Sequence, residues 1–413
     1  MTDVTGRSFL SYRHSRKEEA RLLIQAQHEH GIPTWRDVRD LRPGPIDESL
    51  SGQLTDARTA NALVWLTPDV MHSPTIQKTE LPAILERERR GDGFFVIPVC
   101  AGGLPLEDMD KVAGDYLGAN RLGRSLAQKV DANPIGENDA AEIAKLILKE
   151  RICAIHAALP AGEPLRLSLY TRESPPDSSG MALSIDWSHR FHASMGTGPA
   201  IPQSEWDSRL LPALRSAIGR CRASASNRTI IAEGNGELGV TVALGVICSA
   251  ARDLRLAWRQ KMRRDGSSQD WSITALPEPS GFDFDIKSDD VSADDIAVLI
   301  SVTRDVEPGF GASRNHLPRF RGQLHITRPD RSYDDLDTPR QARDVVEVFL
   351  RGLKEIQRKQ GARGTVHLFM AVPAGLAMMI GQNLNTLGPV QTYRFEFPIY
   401  RPEVLLHPSR RGG

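Results

Sequence analysis

The sequence has few cysteines and no long apolar run. Its four cysteines, Cys100, Cys153, Cys221 and Cys248, are far apart and have no cluster of His or carboxylate side chains at ligand spacing, which argues against a disulfide framework and a metal site. No apolar run reaches the roughly 20 residues that span a bilayer, and the N-terminus lacks the pattern of a signal peptide. We therefore expect a cytoplasmic protein with reduced thiols, no metal and no membrane partner.

An excess of charge of one sign is also missing. Lys and Arg together number 52, as do Asp and Glu, so the formal net charge at pH 7 is zero. Bulk binding to duplex DNA or to an anionic membrane draws on an excess of positive charge, so neither partner is expected. With 413 residues, 40% of them apolar and 25% charged, the chain has the composition of an ordinary globular protein of two or three domains.

The first third of the chain alternates apolar, strand-like runs with helical patterns. The predicted strands are 8–12, 32–35, 61–67 and 94–100. The predicted helices are 16–30, 46–57 and 75–91. Such alternation is typical of a parallel sheet covered by helices on both faces. An amphipathic helix over 137–157 follows, and the Pro-Gly-rich segment 159–164 is predicted to be a linker.

From about residue 165, strands and helices alternate again, and this part contains a repeated unit. The strand 229–233 leads through a Gly-rich turn into an apolar helix that ends at Gly245, and the strand 366–371 leads into a similar helix that ends at Gly381. Each unit consists of a buried strand, a tight turn and a helix of small and apolar residues. Two such units predict pseudo-twofold halves that face one ligand.

The opening of the chain resembles a TIR domain. Residues 8–14 (SFLSYRH), a helix, a short second strand and an Arg-Asp-rich loop that ends at Pro43-Gly44 carry this resemblance. It implies a flavodoxin-like α/β module that either joins like modules or cleaves NAD+. NAD+ is then a substrate, and no cofactor is expected.

The later part of the chain resembles the SAVED domain, a fused pair of CARF-like Rossmannoid halves that binds cyclic oligonucleotides. The resemblance lies in residues 368–384 and 389–393. The two resemblances divide the chain into a TIR domain over 1–135, a connecting helix and linker over 136–164, and a SAVED domain over 165–413. They also imply a cyclic tri- or tetra-adenylate as the activator.

Glu80 is the candidate catalytic residue. TIR domains that cleave NAD+ carry a catalytic Glu on the helix after the third strand, and residues 73–81 (SPTIQKTEL) place Glu80 there, although Ile76 and Gln77 stand where Trp-Cys is common. The pattern also places Glu80 near a helix N-terminus, because Pro82 is best tolerated in an opening turn. A surface Glu at the start of a helix is the structural alternative.

The resemblance to TIR domains also implies contacts to NAD+. Tyr12 and Arg13 follow the first strand, whose carboxyl end borders the ligand crevice of a doubly wound sheet, and Arg13 can hold phosphate through two hydrogen bonds. Trp35 and Asp37 come at the end of the second strand. Trp35 either forms an aromatic wall for nicotinamide or adenine or packs under the following loop.

The Arg-Asp-rich loop after the second strand is the candidate assembly loop. In related domains this loop controls assembly and access to the active site, which implies a homo-oligomer or filament on activation. A solvated loop with internal ion pairs is the alternative. The residues of the predicted assembly loop are Arg39, Asp40, Leu41, Arg42, Pro43 and Gly44.

The turns of the repeated unit are the candidate site for a cyclic nucleotide. Residues 234–239 match G-x-G-x-x-G, but the second unit has 372–375 (VPAG) instead, so we interpret both turns as places where backbone amides approach phosphate. A separate prediction is a polar helix around Trp258, which lies among basic residues. The predicted nucleotide contacts are Gly234, Asn235, Gly236, Arg304, Pro373, Ala374, Gly375 and Tyr393.

Together these observations predict an NAD+ hydrolase (NAD+ nucleosidase) of bacterial anti-phage defence. The SAVED domain would bind a cyclic oligonucleotide and drive multimerisation that completes the TIR active site. Two alternatives stay open. The first is a TIR adaptor without enzymatic activity, whose role is assembly alone, and the second is a nicotinamide-dependent oxidoreductase that uses the glycine motif at 234–239.

Overall fold

The computed structural model divides into two compact units. Unit 1 comprises Met1–Ser168, Ser174–Trp187 and Ser216–Ser226, and unit 2 comprises the rest of the chain. The structure describes residues 2–35, 52–113, 126–191, 200–224, 228–249, 255–262, 264–330, 336–361 and 363–408. In these ranges no helix is both long enough and apolar enough to cross a bilayer.

Unit 1 contains a parallel sheet with the strand order β2-β1-β3-β4-β5. Its strands are β1 Arg7–Ser11, β2 Thr34–Trp35, β3 Thr59–Leu66, β4 Phe95–Cys100 and β5 Gln128–Lys129. This order is that of the flavodoxin-like fold, in which ligands bind at the carboxyl ends of the strands. The central strand β3 is buried along its whole length, as expected for a parallel strand covered on both faces. The predicted fold class of the first domain is therefore confirmed.

Amphipathic helices surround this sheet. Helix α1 (Lys17–Glu29) buries Ala20, Leu23 and Ile24, whose spacing puts them on one face. Helix α4 (Glu137–Ala158) begins where the Gly136 amide donates to the Asp139 carboxylate at 2.8 Å. The described helices of this part are α1 Lys17–Glu29, α2 Leu81–Arg89, α3 Met109–Ala113 and α4 Glu137–Ala158. The helices predicted over 16–30 and 137–157 are thus confirmed to within two residues.

Arg151 joins three backbone segments inside unit 1. This fully buried residue of α4 donates to the carbonyl oxygens of Thr5, Gly6, Met181 and Ala182 at 2.5 to 3.1 Å. Burial lowers the pKa of its guanidinium to about 10, which leaves the group charged at neutral pH. Since four carbonyl groups depend on one side chain, Arg151 holds the start of β1 and residues 181–182 against α4.

We expect Arg151→Met to lower the free energy of unfolding of unit 1 by at least about 3 kcal/mol, because each buried carbonyl left without a donor costs roughly 1–3 kcal/mol. Urea denaturation followed by circular dichroism measures the change. Arg21→Met, at an exposed position of α1, is the matched control and should change stability by less than about 0.5 kcal/mol. Equal stability of the two variants would show that the Arg151 hydrogen bonds contribute little.

A second sheet has the strand order β10-β9-β8-β6-β7. Its strands are β6 Leu165–Tyr170, β7 Leu183–Asp186, β8 Ile230–Asn235, β9 Leu256–Lys261 and β10 Ser268–Trp271. The predicted helix around Trp258 is wrong, because Trp258 lies in β9, where it is buried and aligned with Ala232 of β8 and Trp271 of β10. Arg259 pairs with Asp270 on the neighbouring strand at 2.9 Å, so the basic run forms cross-strand contacts.

The third sheet has six strands in the order β11-β13-β12-β14-β15-β16. They are β11 Asp283–Ser288, β12 Ile296–Ser301, β13 Gly322–Thr327, β14 Val366–Ala371, β15 Val390–Glu396 and β16 Ile399–Leu406. The four inner strands are parallel, whereas β11 and β16 are antiparallel edges. The described helices of the later part are α5 Ser188–Phe191, α6 Gln203–Glu205, α7 Leu211–Ser224, α8 Leu238–Ile247, α9 Glu307–Ser313, α10 Pro339–Gln360 and α11 Ala374–Gln382.

Helices α8 and α11 cross in close contact, as the repeated unit in the sequence predicts. A Cβ atom on Gly245 would lie 2.2 Å from the carbonyl oxygen of Met378, and one on Gly381 would lie 2.3 Å from that of Val242. Only glycine allows this backbone approach. The two contacts are reciprocal. Gly245 lies against the carbonyl group three residues before Gly381, and Gly381 lies against the carbonyl group three residues before Gly245. This reciprocal contact is the local pseudo-twofold relation that the two repeated strand-turn-helix segments predict.

Candidate functional site

In unit 1, Glu80 ends a π-helical turn, Ile76–Glu80, within a helical run that begins at Pro74. Pro82 explains the wide turn, because its ring would crowd the carbonyl four residues earlier in a regular α-helix. The same arrangement recurs at the turn Trp206–Leu210, which also precedes a Leu-Pro pair. The predicted position of Glu80 beside a helix N-terminus is therefore wrong, because the helical run begins at Pro74. The favourable electrostatic effect of a helix N-terminus on a carboxylate is confined to the first turn.

Ser11 is a hydrogen-bond partner of Glu80. The Ser11 hydroxyl donates to Oε2 of Glu80 at 2.5 Å, and the two residues are 1% and 7% exposed. Ser11 ends β1, the strand that lies between β2 and β3, and its position at the carboxyl end of that strand was the available signal in the sequence. The candidate catalytic carboxylate is thus oriented by a buried hydroxyl that the sequence reasoning missed.

Tyr12 and Arg13 follow Ser11 directly and are both half-buried. Arg13 has extended backbone angles and precedes a short 3₁₀ turn that leads into α1. Because β1 ends at Ser11, these two residues lie at the strand end that carries the hydrogen bond to Glu80. The structure therefore brings the predicted substrate contacts Tyr12 and Arg13 to the same edge of the sheet as the candidate catalytic residue.

Trp35 packs in the core of unit 1. It is 4% exposed, and its ring stacks on Phe9 with centroids 5.4 Å apart and an interplanar angle of 19°. The structure shows core packing against Phe9, while the contact of Trp35 to NAD+ stays a prediction. Asp37 and the predicted assembly loop, Arg39, Asp40, Leu41, Arg42, Pro43 and Gly44, lie outside the described residues.

Unit 2 contains a cavity of about 530 Å³ that we call the cationic cavity. Arg172, Lys261 and Arg304 line it, and its described lining contains no Asp or Glu. The carboxyl ends of β8, β12 and β14 lead into it, as expected for a ligand site in a parallel α/β sheet. Of the predicted nucleotide contacts, those in its lining are Asn235, Gly236, Arg304, Pro373 and Ala374.

A second cavity of about 400 Å³ shares Arg172 and Arg304 with the first. We call it the balanced cavity, because its lining contains three arginines and three glutamates. These residues are Arg172, Arg304, Arg394, Glu237, Glu396 and Glu403. The Arg172 guanidinium donates to the Glu237 carboxylate at 3.1 Å, and the Arg304 guanidinium lies over the Phe395 ring at 4.3 Å from its centroid. Arg304 is therefore positioned at both cavities.

Side-chain oxygens accept hydrogen bonds from two backbone amides at the helix starts, where the sequence analysis predicted contacts to phosphate. The amide of Gly239, the second residue of α8, donates to Oε2 of Glu403 at 3.1 Å. The amide of Gly375, the second residue of α11, donates to Oε1 of Gln260 at 3.0 Å. Gly234, at φ 142°, is needed because a Cβ there would lie 2.1 Å from the Leu169 carbonyl oxygen. These glycines thus serve protein contacts.

Glu403 is a buried carboxyl in the lining of the balanced cavity. Burial raises its pKa to about 8, and the negative charge of Glu237 acts in the same direction. The positive charge of Arg394 and the amide of Gly239 oppose this shift and do not cancel it. At pH 7 the side chain is therefore mainly the neutral acid. The sequence reasoning did not identify Glu403.

Tyr393 is 4% exposed, and its ring stacks on Phe369 with centroids 4.3 Å apart. Its hydroxyl is hydrogen-bonded to Nδ1 of His367 at 2.9 Å, and Nε2 of His367 lies 3.2 Å from the Asp295 carboxylate. Tyr393 therefore forms part of the wall of the balanced cavity, while its hydroxyl is held by a buried protein network.

The chemistry of unit 2 suits a ligand with several phosphates and polar rings. Three cations in a lining without Asp or Glu favour phosphate, although Arg172 also pairs with Glu237, and the adjacent balanced cavity offers both donors and acceptors for heterocycles. In the described part of the chain, no three His, Cys, Asp or Glu side chains gather at metal-binding distance.

Two protein families match separate parts of the chain. The TIR domain family matches residues 9–146. The SAVED family, described as the SMODS-associated and fused to various effectors sensor domain, matches residues 213–405. No curated protein gives a match to the sequence.

Several solved structures have a similar chain course. The Cap4 SAVED/CARF-domain containing receptor of Acinetobacter baumannii with the cyclic trinucleotide 3'3'3'-cAAA is 16% identical, with a TM-score of 0.49 over 80% of this chain and 86% of the receptor. The structure of the same receptor with 2'3'3'-cAAA is 15% identical, with a TM-score of 0.48 over 79% of this chain and 86% of the receptor. The Cap4 SAVED/CARF-domain containing receptor of Moraxella osloensis is 14% identical, with a TM-score of 0.44 over 95% of this chain and 98% of the receptor.

Proposed function

We propose, from the premise that the chain is a TIR domain fused to a SAVED domain, that it is an NAD+ hydrolase activated by a cyclic oligonucleotide in anti-phage defence. The observation that carries the enzymatic part is the buried hydrogen bond between Ser11 and Glu80 at the carboxyl edge of the TIR sheet. A carboxylate held in this way at a ligand-binding edge is suited to stabilise positive charge on a bound sugar.

In the proposed reaction, the bond between C1' of the ribose and the nicotinamide nitrogen breaks. Its electron pair leaves with the nicotinamide, which becomes neutral, and positive charge develops on the ribose. The Glu80 carboxylate stabilises this oxocarbenium-like state, and the Ser11 hydroxyl keeps the carboxylate oriented. Water then adds to C1' and releases a proton, which gives ADP-ribose. Tyr12 and Arg13 are the proposed substrate contacts.

In the SAVED domain, the cationic cavity is the proposed site for the phosphates of the messenger, for which we propose a cyclic tri- or tetra-adenylate. Arg172, Lys261 and Arg304 supply the positive charge. The messenger would activate the TIR domain by favouring a multimer, which it can do only if it binds the multimer more tightly than the free chain. The proposed contact between copies is the loop Arg39 to Gly44.

Nicotinamide release by the purified chain tests the proposed function. We expect release only with a cyclic oligonucleotide, in a panel of cyclic di-, tri- and tetranucleotides. A TIR adaptor would release none with any ligand, and an oxidoreductase would leave NAD+ intact while transferring hydride. The glycine motif gives the oxidoreductase little support, since Gly234 and Gly239 make close contacts to Leu169 and Glu403.

We expect Ser11→Ala to reduce messenger-activated nicotinamide release roughly 10-fold, because a hydrogen bond to a charged group contributes about 1.5–3 kcal/mol. The measurement is the rate at saturating NAD+ and messenger. Ser208→Ala, which removes an exposed hydroxyl of unit 2, is the control and should leave the rate unchanged. An unchanged rate for Ser11→Ala would show that the hydrogen bond does not orient a reacting group.

A further inference from the structure

Glu403 has an unused hydrogen-bonding atom. The residue lies on β16, is 7% exposed and lines the balanced cavity. Its Oε2 accepts the Gly239 amide, whereas its buried Oε1 has no hydrogen-bond partner among the residues that the structure describes. A buried polar atom without a partner is costly, and because this one belongs to a residue in the lining of a cavity, it points to a ligand group that completes its hydrogen bonding.

The other pseudo-twofold half shows what kind of group belongs at this position. Gln260, on β9 rather than on the outer strand β10 that would match β16, makes the equivalent contact, since its Oε1 accepts the amide of Gly375, which is the second residue of α11 as Gly239 is of α8. The Gln260 amide nitrogen donates to the carbonyl of Lys261 at 3.1 Å. A neutral side chain with one acceptor and one donor therefore fits this position. A protonated Glu403 has the same pattern, with Oε1 as the donor that still lacks an acceptor.

The charges around Glu403 lie on or next to four elements. Glu237 stands at the start of α8, Arg394 and Glu396 lie on β15, Arg172 follows β6, and Arg304 follows β12. Burial raises the pKa of Glu403 to about 8 despite the arginines. The neutral acid is thus the main form at pH 7 and disappears as the pH rises through about 8.

We propose that Glu403 binds the messenger as a neutral carboxylic acid, and that its Oε1 hydrogen is donated to the Watson–Crick edge of an adenine. This inference rests on the proposed messenger-binding function. Adenine presents a ring-nitrogen acceptor beside an amino donor on that edge, which complements the donor and acceptor of a protonated carboxyl group. Guanine presents two donors there, which suit an ionised carboxylate. The phosphates belong to the adjacent cationic cavity, whose described lining has no carboxylate.

The direct test is the pH dependence of the dissociation constant for cyclic tri-adenylate and cyclic tri-guanylate, measured calorimetrically with the full chain. For cyclic tri-adenylate we expect similar affinity at pH 6 and pH 7 and roughly 30-fold weaker binding at pH 9.5, because the neutral form falls tenfold per pH unit above its pKa. The preference for adenine over guanine should shrink over the same range.

Three variants test whether Glu403 donates a hydrogen bond to the messenger or only packs in the cavity wall. Glu403→Gln keeps a neutral acceptor and donor, so it should bind cyclic tri-adenylate within about threefold of the native chain at pH 7 and lose the pH dependence. Glu403→Met fills similar space without either hydrogen bond, and should bind at least about 10-fold more weakly. Glu142→Gln, at a 72% exposed side chain of α4 in unit 1, is the control that should keep the native affinity and pH profile. Circular dichroism verifies that each variant is folded.

Several results would overturn this inference. If cyclic tri-adenylate binds with an affinity that does not change from pH 6 to pH 9.5, Glu403 is not a proton-dependent donor. If the affinities for both rings fall in parallel with pH, the acceptor is a phosphate oxygen common to both, and the assignment to adenine is wrong. If no cyclic oligonucleotide binds at any pH, the proposed messenger-binding function fails and the inference fails with it.

Discussion

Glu80→Gln is expected to lower messenger-activated nicotinamide release by roughly 100- to 1000-fold, the usual loss when a group that stabilises transition-state charge is neutralised. Glutamine keeps the size of the side chain and can still accept the Ser11 hydroxyl hydrogen, so the packing around the buried pair is preserved. What it removes is the negative charge that faces the developing positive charge on the ribose. Single-turnover release of nicotinamide at saturating NAD+ measures the loss.

The matched control is Glu86→Gln, because Glu86 is an exposed residue of the same helix α2. It should release nicotinamide at the native rate. Both variants should bind the cyclic oligonucleotide with native affinity, since the substitutions lie in unit 1 and the cationic cavity in unit 2. Native activity of Glu80→Gln would rule out Glu80 as the catalytic carboxylate.

Arg304→Met is expected to weaken binding of the cyclic oligonucleotide by roughly 10- to 100-fold, which corresponds to one or two charge-assisted hydrogen bonds to phosphate. Arg304 lines both cavities and lies over the Phe395 ring, so methionine preserves the packing while it removes the charge. The activation curve for nicotinamide release should move to higher messenger concentration by the same factor, with the maximal rate retained.

Arg319→Met is the control for this second prediction, because the Arg319 side chain is 83% exposed. It should leave the activation curve in place. A native curve for Arg304→Met would show that the cationic cavity does not hold the messenger, whereas a loss of maximal rate at saturating messenger would indicate a disturbed fold rather than a lost contact.

The TIR fold could be predicted from the sequence because its strands are short apolar runs separated by clear helical periodicity. The interaction between Ser11 and Glu80 could not, since the two residues are 69 positions apart. The turn that carries Glu80 also escaped prediction. Pro82 signals a helix boundary in sequence, but a π-helical turn accommodates it in the structure.

In the SAVED domain, too, contacts between residues far apart in the sequence could not be predicted. The two helices with closely packed glycines were visible as a repeat, because a tight helix crossing requires small residues at fixed positions. Gln260 and Glu403, which accept the amides of those helices, come from strands elsewhere in the chain and leave no local pattern. Trp258 was misassigned for a related reason, since the partner of the adjacent Arg259 is a cross-strand aspartate.

The most direct test of the central claim is the rate of nicotinamide release per chain, measured over a range of protein concentrations with and without cyclic tri-adenylate. We predict negligible release without the messenger. With it, the rate per chain should rise with protein concentration, because assembly completes the site that contains Glu80. Full-rate release by the messenger-free chain, independent of protein concentration, would contradict activation by messenger-driven assembly.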